Sequence, residues 1–400
     1  MRIWMALLAA LVLGAAPVRA DEAKLAAALD AFEQLTLWRD AAGTAAGGAV
    51  PTGNIVRWNR ALFVRVVGRS SSSERASTLK FLREAAEIAG LTVTVEDGEG
   101  SGENFKIEFF PEYSAPPMLQ SAGCLARYWQ NGGALTRVEL HIRSGSRGFD
   151  RCVSHEMLHG FGIPAHPHDL RSVMSYTQQG LTGFTPIDVD ALRTLYHQSV
   201  TPGMYHLPAM LAARKVIAER LELVPAGGDV GALARPTMDK AVARLREFAQ
   251  SSAVVAPIAA AQLGNAYWFG QYVGVDRAEA YRHWQMAADK ENAEGRYRLG
   301  WMYLQSQSVE RDDAKALKWL SLAATQYHAG AMLQLSGLRA EGRGGMPADP
   351  VEAYALASIA ASRNIQGAVA ARNKIGAGLT TEQLAEAKVR AEKLVPQPAR

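Results

Sequence analysis

Two histidines and a glutamate stand at the spacing of a metal-binding helix, in the run His155-Glu156-Met-Leu-His159. On an α-helix, residues four positions apart share a face, so the imidazoles of His155 and His159 can reach one metal ion. Glu156 comes directly after His155, so its side chain points beside that ion rather than at it. A carboxylate in this place can act as the general base for a metal-activated water. The run therefore predicts a zinc site that performs hydrolysis.

The residues after this run extend the pattern. Gly162 lies three positions after His159, where a glycine allows a helix to end in a left-handed turn and sends the chain back past the metal. The later run Ser172-Val-Met174-Ser-Tyr176 is similar to the methionine turn that follows the zinc helix in metzincin peptidases. The two runs together resemble a metzincin, or zincin-like, metallopeptidase domain.

The resemblance implies a third histidine ligand. In the metzincin signature this histidine lies three residues after the helix-ending glycine, but Ala165 occupies that position here. His166 lies eight residues before Met174, which is the spacing of the matrixin branch, and it is the preferred third ligand. His168 is the alternative, and Asp169 is a more remote one.

The same resemblance implies roles for the other residues of the site. Three neutral imidazoles leave a fourth coordination position for water. Glu156 would take a proton from this water and pass it to the leaving amine. Tyr176 matches the tyrosine of the astacin and serralysin branches, which binds the metal at rest or stabilises the oxyanion during the reaction. Met174 would form an apolar floor beneath the metal.

The chain has two cysteines, Cys124 and Cys152. In an oxidising compartment the expected state is a disulfide between them, which would tie the start of the zinc helix to an upstream loop. Two unpaired buried thiols are one alternative. Helical spacing also allows Cys152, three residues before His155, to bind the metal as a thiolate.

The first twenty residues predict an address outside the cytoplasm. They carry an early arginine, an apolar stretch and small residues before Asp21, which is the pattern of a signal peptide cleaved after Ala20. We therefore expect a periplasmic or secreted protein without a transmembrane segment after cleavage. Removal of Arg2 and Arg19 leaves 41 basic against 39 acidic residues, a balance that argues against a nucleic-acid partner.

Hydrophobic periodicity predicts an α+β domain followed by an all-α solenoid of helix-turn-helix repeats. The resemblance implies that the α+β domain is zincin-like, with a mixed sheet and a zinc helix. Strands are expected at 55–58, 61–67, 91–95, 104–110 and 135–142, and a helix at 73–90. Zincins bind an extended peptide along a sheet edge. Thr185–Tyr196 resembles the closing helix of metzincin domains, with Asp188 and Asp190 in its first turn, where the helix dipole favours acids.

The last third of the chain is repetitive. The pattern Leu263-Gly264-x-x-Tyr267 recurs as Leu299-Gly300-x-x-Tyr303 and, more weakly, from Leu335, at a period of 36 residues. A fixed period with small residues where helices cross is typical of an α-solenoid. The units resemble Sel-like repeats, relatives of the tetratricopeptide class, which implies a protein partner. The tryptophans and tyrosines of these units are expected to pack between helices.

These observations predict five segments: a signal peptide (1–20), an N-terminal helix and linker (21–53), a catalytic domain (54–205), a helical connector (206–254) and the repeats (255–395). The catalytic part also resembles a bacterial family of exported domains of unknown function, over Ile55–Tyr196, on the strength of Arg57-Trp58 ahead of the zinc helix. We expect a zinc-dependent endopeptidase acting on a peptide or protein substrate. The alternative is a zincin-fold scaffold without catalysis, whose repeats mediate protein–protein interaction.

Overall fold

The computed structural model describes residues 20–37, 39–40, 49–50, 54–167, 169–175, 178, 180–231, 233–251, 256–305, 309–363 and 365–394. The chain divides into two compact units, Met1–Ala243 and Arg244–Arg400. Residues 1–19 of the predicted signal peptide and most of the predicted linker lie outside the described residues. Across the described ranges, no helix combines the length and the apolar character needed to span a membrane.

The first unit contains a five-stranded mixed sheet. A short antiparallel ladder, β1 (Arg39–Asp40) with β2 (Ala49–Val50), precedes it. The main strands are β3 (Leu62–Gly68), β4 (Val93–Asp97), β5 (Phe105–Phe110), β6 (Cys124–Asn131) and β7 (Ala134–Arg143). Their order is β4-β3-β5-β7-β6; β6 is antiparallel to β7, and the other neighbours are parallel. The predicted mixed sheet is confirmed.

The helices of this unit follow in chain order. They are α1 (residues 20–32), a π-helical turn (Glu33–Leu37), α2 (Ser72–Ala89), a 3-10 turn (Glu112–Ser114), α3 (Pro117–Ala122), α4 (Phe149–Gly160), α5 (Pro186–Leu195) and α6 (His206–Arg220). Helix α7 (Arg235–Gln250) crosses from the first unit into the second. Strand β6 and helix α3 were not predicted from the sequence, whereas α6 and α7 lie in the predicted helical connector. The predicted strand at 55–58 is wrong. Arg57 instead forms a single bridge with Ala134.

Local sequence explains why α2 begins and ends where it does. The Ser71 hydroxyl accepts a hydrogen bond from the Glu74 N–H at 3.2 Å, and the Glu74 carboxylate accepts one from the Ser71 N–H at 2.9 Å. This reciprocal capping box satisfies two donors that the first turn leaves unpaired. Gly90 ends the helix in the left-handed region, with φ +65°. The helix thus has two well-defined ends.

The core of the first unit lies between the sheet and its helices. Strand β5 alternates as a half-buried strand should, with Phe105, Ile107 and Phe109 buried. Helix α4 packs on β6 and β7, and α2 packs on α4 and α5. The ring of Phe105 lies 6.3 Å from both Trp58 and Phe161, centroid to centroid. This aromatic group seats the C-terminal end of α4 against the sheet.

The second unit is a stack of antiparallel helices. They are α8 (Ala256–Phe269), α9 (Arg277–Asp289), α10 (Ala293–Gln305), α11 (Asp313–Thr325), α12 (Ala329–Glu341), α13 (Pro350–Ser362), α14 (Ala368–Gly376) and α15 (Thr381–Leu394). The predicted all-helical solenoid is confirmed. Trp268 and Trp284 are buried between helices, with ring centroids 5.2 Å apart.

Each repeat starts its second helix in the same way. Asp276, Asp312 and Asp349 occupy the N-cap positions of α9, α11 and α13, and each side chain accepts a backbone N–H of the first turn. Glycine completes the repeat unit, because a Cβ on Gly264 would lie 2.3 Å from the Trp284 ring and one on Gly300 would lie 2.6 Å from Leu320. The repeated glycines therefore let the helices of a pair approach closely.

Two glycines of the solenoid allow a matched test of this packing. We expect Gly300→Ala to lower the free energy of unfolding by about 1–3 kcal/mol, because the new methyl group overpacks the contact with Leu320. Gly337 is exposed on α12 and a Cβ there meets nothing within 4 Å. Gly337→Ala should therefore stabilise the protein by about 0.5–1 kcal/mol. Urea unfolding followed by circular dichroism measures both, and a stabilising Gly300→Ala would contradict the packing argument.

The N-terminal helix belongs to the core of the first unit. Five of its apolar side chains, Leu25, Leu29, Phe32, Leu35 and Leu37, are fully buried. Glu33 and His206 are also fully buried, and their Oε1 and Nε2 atoms are 2.9 Å apart. The π-helical turn packs on α5 and α6. A segment held in this way is a structural part of the domain.

Core truncation in this segment should therefore destabilise the fold. We expect Leu29→Ala to lower the free energy of unfolding by about 2–5 kcal/mol, through lost burial and the cavity left behind. Lys24→Ala on the exposed face of the same helix should change it by less than about 0.5 kcal/mol. Thermal unfolding of the two variants measures the difference. Equal stability of both would show that the segment is a detachable appendage.

Candidate metal centre

Three histidines meet beside α4. His155 and His159 lie one turn apart on this helix, and His166 comes from the loop that follows it. The Nε2 atom of His166 is 3.1 Å from the Nε2 atoms of both His155 and His159. In the part of the chain that the structure describes, this is the one cluster of three or more histidine, cysteine, aspartate or glutamate residues able to hold a metal ion. The three residues named as ligands are thus brought together.

Backbone carbonyls orient two of the three rings. The Nδ1–H of His155 donates to the Val173 carbonyl at 3.0 Å, and the Nδ1–H of His159 donates to the Ile163 carbonyl at 2.8 Å. Since a carbonyl can only accept, the proton of each neutral ring resides on Nδ1 and the lone pair on Nε2. Both lone pairs therefore face His166, as in histidines that bind metals through Nε2.

The spacing of the nitrogens fits zinc. Two nitrogens bound to one tetrahedral zinc at about 2.0–2.1 Å lie about 3.3 Å apart. The observed Nε2 separations of 3.1 Å are close to this value. Three imidazole nitrogens also form a donor set that zinc accepts, with a fourth position left for another ligand. The residues present therefore fit a zinc ion.

The electrostatics of His155 favour the form that binds metals. Burial, and after it the neighbouring His159, lower the pKa of this imidazole to about 4, against the opposing effect of Glu156. A buried imidazole that is neutral near pH 7 needs no deprotonation to act as a ligand. Burial thus keeps the His155 ring in the neutral form that can bind a metal ion.

Glu156 lies beside the cluster and reaches the edge of the sheet. Its Oε2 atom accepts a hydrogen bond from the Ala126 N–H of β6 at 2.7 Å. Burial raises the pKa of the carboxyl group, while His155 and the bond from Ala126 act in the opposite direction. A carboxylate with a raised pKa is a more effective proton acceptor near neutral pH.

The turn after α4 is determined by a segment far away in the chain. Gly162 has φ +93°, in agreement with the predicted left-handed turn, and a Cβ at this position would lie 1.9 Å from the Val56 carbonyl oxygen. The Trp58 indole N–H donates to the Gly160 carbonyl at 2.9 Å, and the Tyr196 hydroxyl donates to the Phe161 carbonyl at 3.1 Å. These contacts satisfy carbonyls that the helix end leaves unpaired. They direct the chain towards His166.

The predicted disulfide is present between Cys124 and Cys152, with Cα atoms 5.8 Å apart. Its upstream end differs from the prediction, because Cys124 begins strand β6 instead of lying in a loop. The bond therefore ties the edge strand to the first turns of α4. The two alternatives for these cysteines, unpaired thiols and a thiolate ligand from Cys152, are wrong.

The remaining predicted site residues are distributed as follows. Met174 is fully buried, and Asp169 is exposed and outside the histidine cluster. His168, the alternative third ligand, and Tyr176, the predicted oxyanion residue, lie outside the described residues. Their roles stay predictions.

Two contributions to the site were missed by sequence reasoning. One is β6, whose Ala126 N–H donates a hydrogen bond to Glu156. The alternation of apolar and polar residues in this strand is weak. Only the cysteine at its start indicated a link to α4. The other is Asp188, interpreted as an acid that favours a helix start. It is fully buried and also contacts the loop before Met174. The combination of Thr185, proline and Asp188 predicts the cap but not the second set of contacts.

Comparison with known proteins finds two families, one in each of the two compact units of the chain. The Sel1 repeat family matches residues 257–292, 293–328 and 329–365. A family described as a protein of unknown function, DUF2927, matches residues 26–210. Among proteins with curated descriptions, none matches the chain.

Solved structures are similar over part of the chain. A Sel1 repeat protein from Oxalobacter formigenes is 26% identical, with 35% of this chain and 98% of that chain covered and a TM-score of 0.30. A protective antigen of uropathogenic Escherichia coli strains, displaying an SLR fold, is 18% identical, with 48% of this chain and 50% of that chain covered and a TM-score of 0.32. The family matches confirm the predicted Sel-like repeats and place a family of unknown function, rather than a peptidase family, over the N-terminal region.

Proposed function

We propose that the first unit is an exported zinc metallopeptidase. One observation carries this proposal: the Nε2 atoms of His155 and His159 both lie 3.1 Å from the Nε2 atom of His166, and the Glu156 carboxylate lies beside this cluster. The described residues supply three imidazoles, and three is the number of protein ligands that catalytic zinc sites have. A three-ligand site with an adjacent carboxylate is the arrangement of hydrolytic zinc enzymes.

Glu156 is the proposed general base and acid. Zinc, when bound, supplies the Lewis acidity that activates a water and polarises the scissile carbonyl. Glu156 accepts the proton of the attacking water and returns it to the leaving amine. The bond from the Ala126 N–H holds one carboxylate oxygen, so the other oxygen can serve the reaction.

Strand β6 is the proposed platform for the substrate. It is an edge strand of the sheet, and α4 packs directly on it. Unpaired backbone groups of an edge strand can bind an extended peptide by strand addition. Since Glu156 bonds to the backbone of this strand, a peptide paired along β6 would pass close to the base. Export supplies the oxidising compartment in which the Cys124–Cys152 bond forms.

A second candidate function rests on the repeats. Sel1 repeats suggest protein–protein interaction, and three of them follow the first unit. In this alternative the first unit is a scaffold without catalysis, and the solenoid is the working surface. Retention of Glu156 beside three converging imidazoles favours the peptidase, because a scaffold has no need of this arrangement.

Metal analysis tests the ligand set. We expect the mature protein to bind one zinc per chain, and His155→Ala or His166→Ala to weaken zinc binding by more than about 100-fold, since each removes a ligand. His197→Ala, outside the cluster, is the control and should keep full affinity. Chelator competition measures the affinities. Full zinc binding by His166→Ala, together with its loss in His168→Ala, would assign the third ligand to His168.

Catalysis is tested at the base. We expect Glu156→Gln to keep its zinc, because glutamine retains the shape of the side chain and an oxygen acceptor, but to lower kcat for a mixed peptide library by about 10²–10⁴-fold. Glu112→Gln, on a side chain that is 74% exposed, is the control and should cleave at the wild-type rate. Mass spectrometry of the products reports the cleavage. Identical cleavage by the wild type and Glu156→Gln, or none by either, would favour the scaffold.

A further inference from the structure

Asp188 is a fully buried carboxylate whose partners lie in two different segments. Its Oδ2 atom accepts hydrogen bonds from the N–H and the hydroxyl of Thr185, both at 2.8 Å, in the capping box of α5. The Val173 N–H donates to the same atom at 3.1 Å, and the Ser172 hydroxyl donates to Oδ1. Such donors replace the water that a buried carboxylate loses. One side chain thus joins α5 to the loop beside the metal centre.

The hydrogen bonds continue from this loop to a proposed ligand. Ser172 Oγ accepts the Met174 N–H at 3.0 Å. The peptide group that carries this N–H also carries the Val173 carbonyl, which accepts from His155 Nδ1–H at 3.0 Å. An unbroken path of hydrogen bonds therefore runs from Asp188 through Ser172 and one peptide group to His155.

The two ligands of α4 differ in how their rings are held. His159 donates to the Ile163 carbonyl, only four residues away in the turn that directly follows its own helix. His155 donates to the Val173 carbonyl, 18 residues away in a loop. A loop carbonyl keeps its position only if other contacts fix it. Asp188 supplies such contacts.

The path also has an electronic consequence. Hydrogen bonds in a chain polarise one another. Because the Asp188 carboxylate accepts a hydrogen bond from the Ser172 hydroxyl, the Ser172 oxygen becomes a better acceptor for the Met174 N–H. A more negative Val173 carbonyl strengthens the bond from His155 Nδ1–H. Partners of this kind fix the ring and raise the basicity of the ligating nitrogen, and their loss typically weakens metal binding about 10–100-fold.

We propose that Asp188 is a positioning residue for the metal centre, acting on His155 through Ser172 and the Val173 carbonyl. This inference rests on the zinc site of the proposed function. A role confined to capping α5 would require only the contacts with Thr185. The contacts with Ser172 and Val173 lie outside the capping box, and they are the part of the arrangement that leads to the histidine.

Two substitutions separate these roles. Ser172→Ala removes the link towards His155 and leaves the capping box intact, whereas Thr185→Ala removes the cap and leaves that link. Asp188→Asn keeps the size of the side chain and removes its charge. Zinc affinity of each full-length protein is measured by chelator competition at pH 7, and thermal unfolding of the zinc-free forms is measured alongside.

We expect Ser172→Ala and Asp188→Asn to bind zinc about 10–100-fold more weakly than the wild type. Thr185→Ala should lower the unfolding temperature, as loss of a cap does, with zinc affinity within about twofold of the wild type. The positioning role would be overturned if Ser172→Ala and Asp188→Asn bound zinc as tightly as the wild type. It would also be overturned if Thr185→Ala lost as much zinc affinity as they do. Neither result would contradict the zinc site itself. Absence of zinc from the wild type would overturn both proposals.

Discussion

The Nε2 atoms of His155 and His159 both lie 3.1 Å from the Nε2 atom of His166, and bringing these nitrogens together in a partly buried place is costly. The chain maintains this arrangement through backbone carbonyls. The carbonyls of Ile163 and Val173 bind the Nδ1–H groups and thereby turn both Nε2 lone pairs inward. A cation at the meeting point would convert this repulsion into coordination. The position of each carbonyl therefore decides whether the centre exists.

Both carbonyls depend on contacts with distant parts of the sequence. The Ile163 carbonyl follows the Gly162 turn, which packs against the Val56 backbone and leaves no space for a side chain. The Val173 carbonyl belongs to the loop that Asp188 binds from α5. The domain thus surrounds α4 with elements from before and after it. His166 and both orienting carbonyls come from outside α4, so the helix by itself lacks these parts of the site.

The junction of β6 with α4 connects the centre to the sheet. The Cys124–Cys152 bond joins the two elements at one end, and the bond between Ala126 and Glu156 joins them one turn later. An edge strand held in this way stays aligned with Glu156. The solenoid is stabilised by local contacts instead. Its repeated glycines and aspartate caps act between neighbouring helices within each repeat.

The sequence by itself determined the features that depend on local spacing. The His155–His159 pair, the left-handed Gly162, the 36-residue repeat and most strands and helices follow from periodicities of 3.6, 2 and 36 residues, which need no knowledge of the fold. Tertiary structure decided which elements meet. That β6 is an edge strand bonded to Glu156, that the N-terminal helix is buried, and that Asp188 faces the loop before Met174 all depend on contacts between residues far apart in the chain. Such contacts leave no periodic trace in a single sequence, because each is made once.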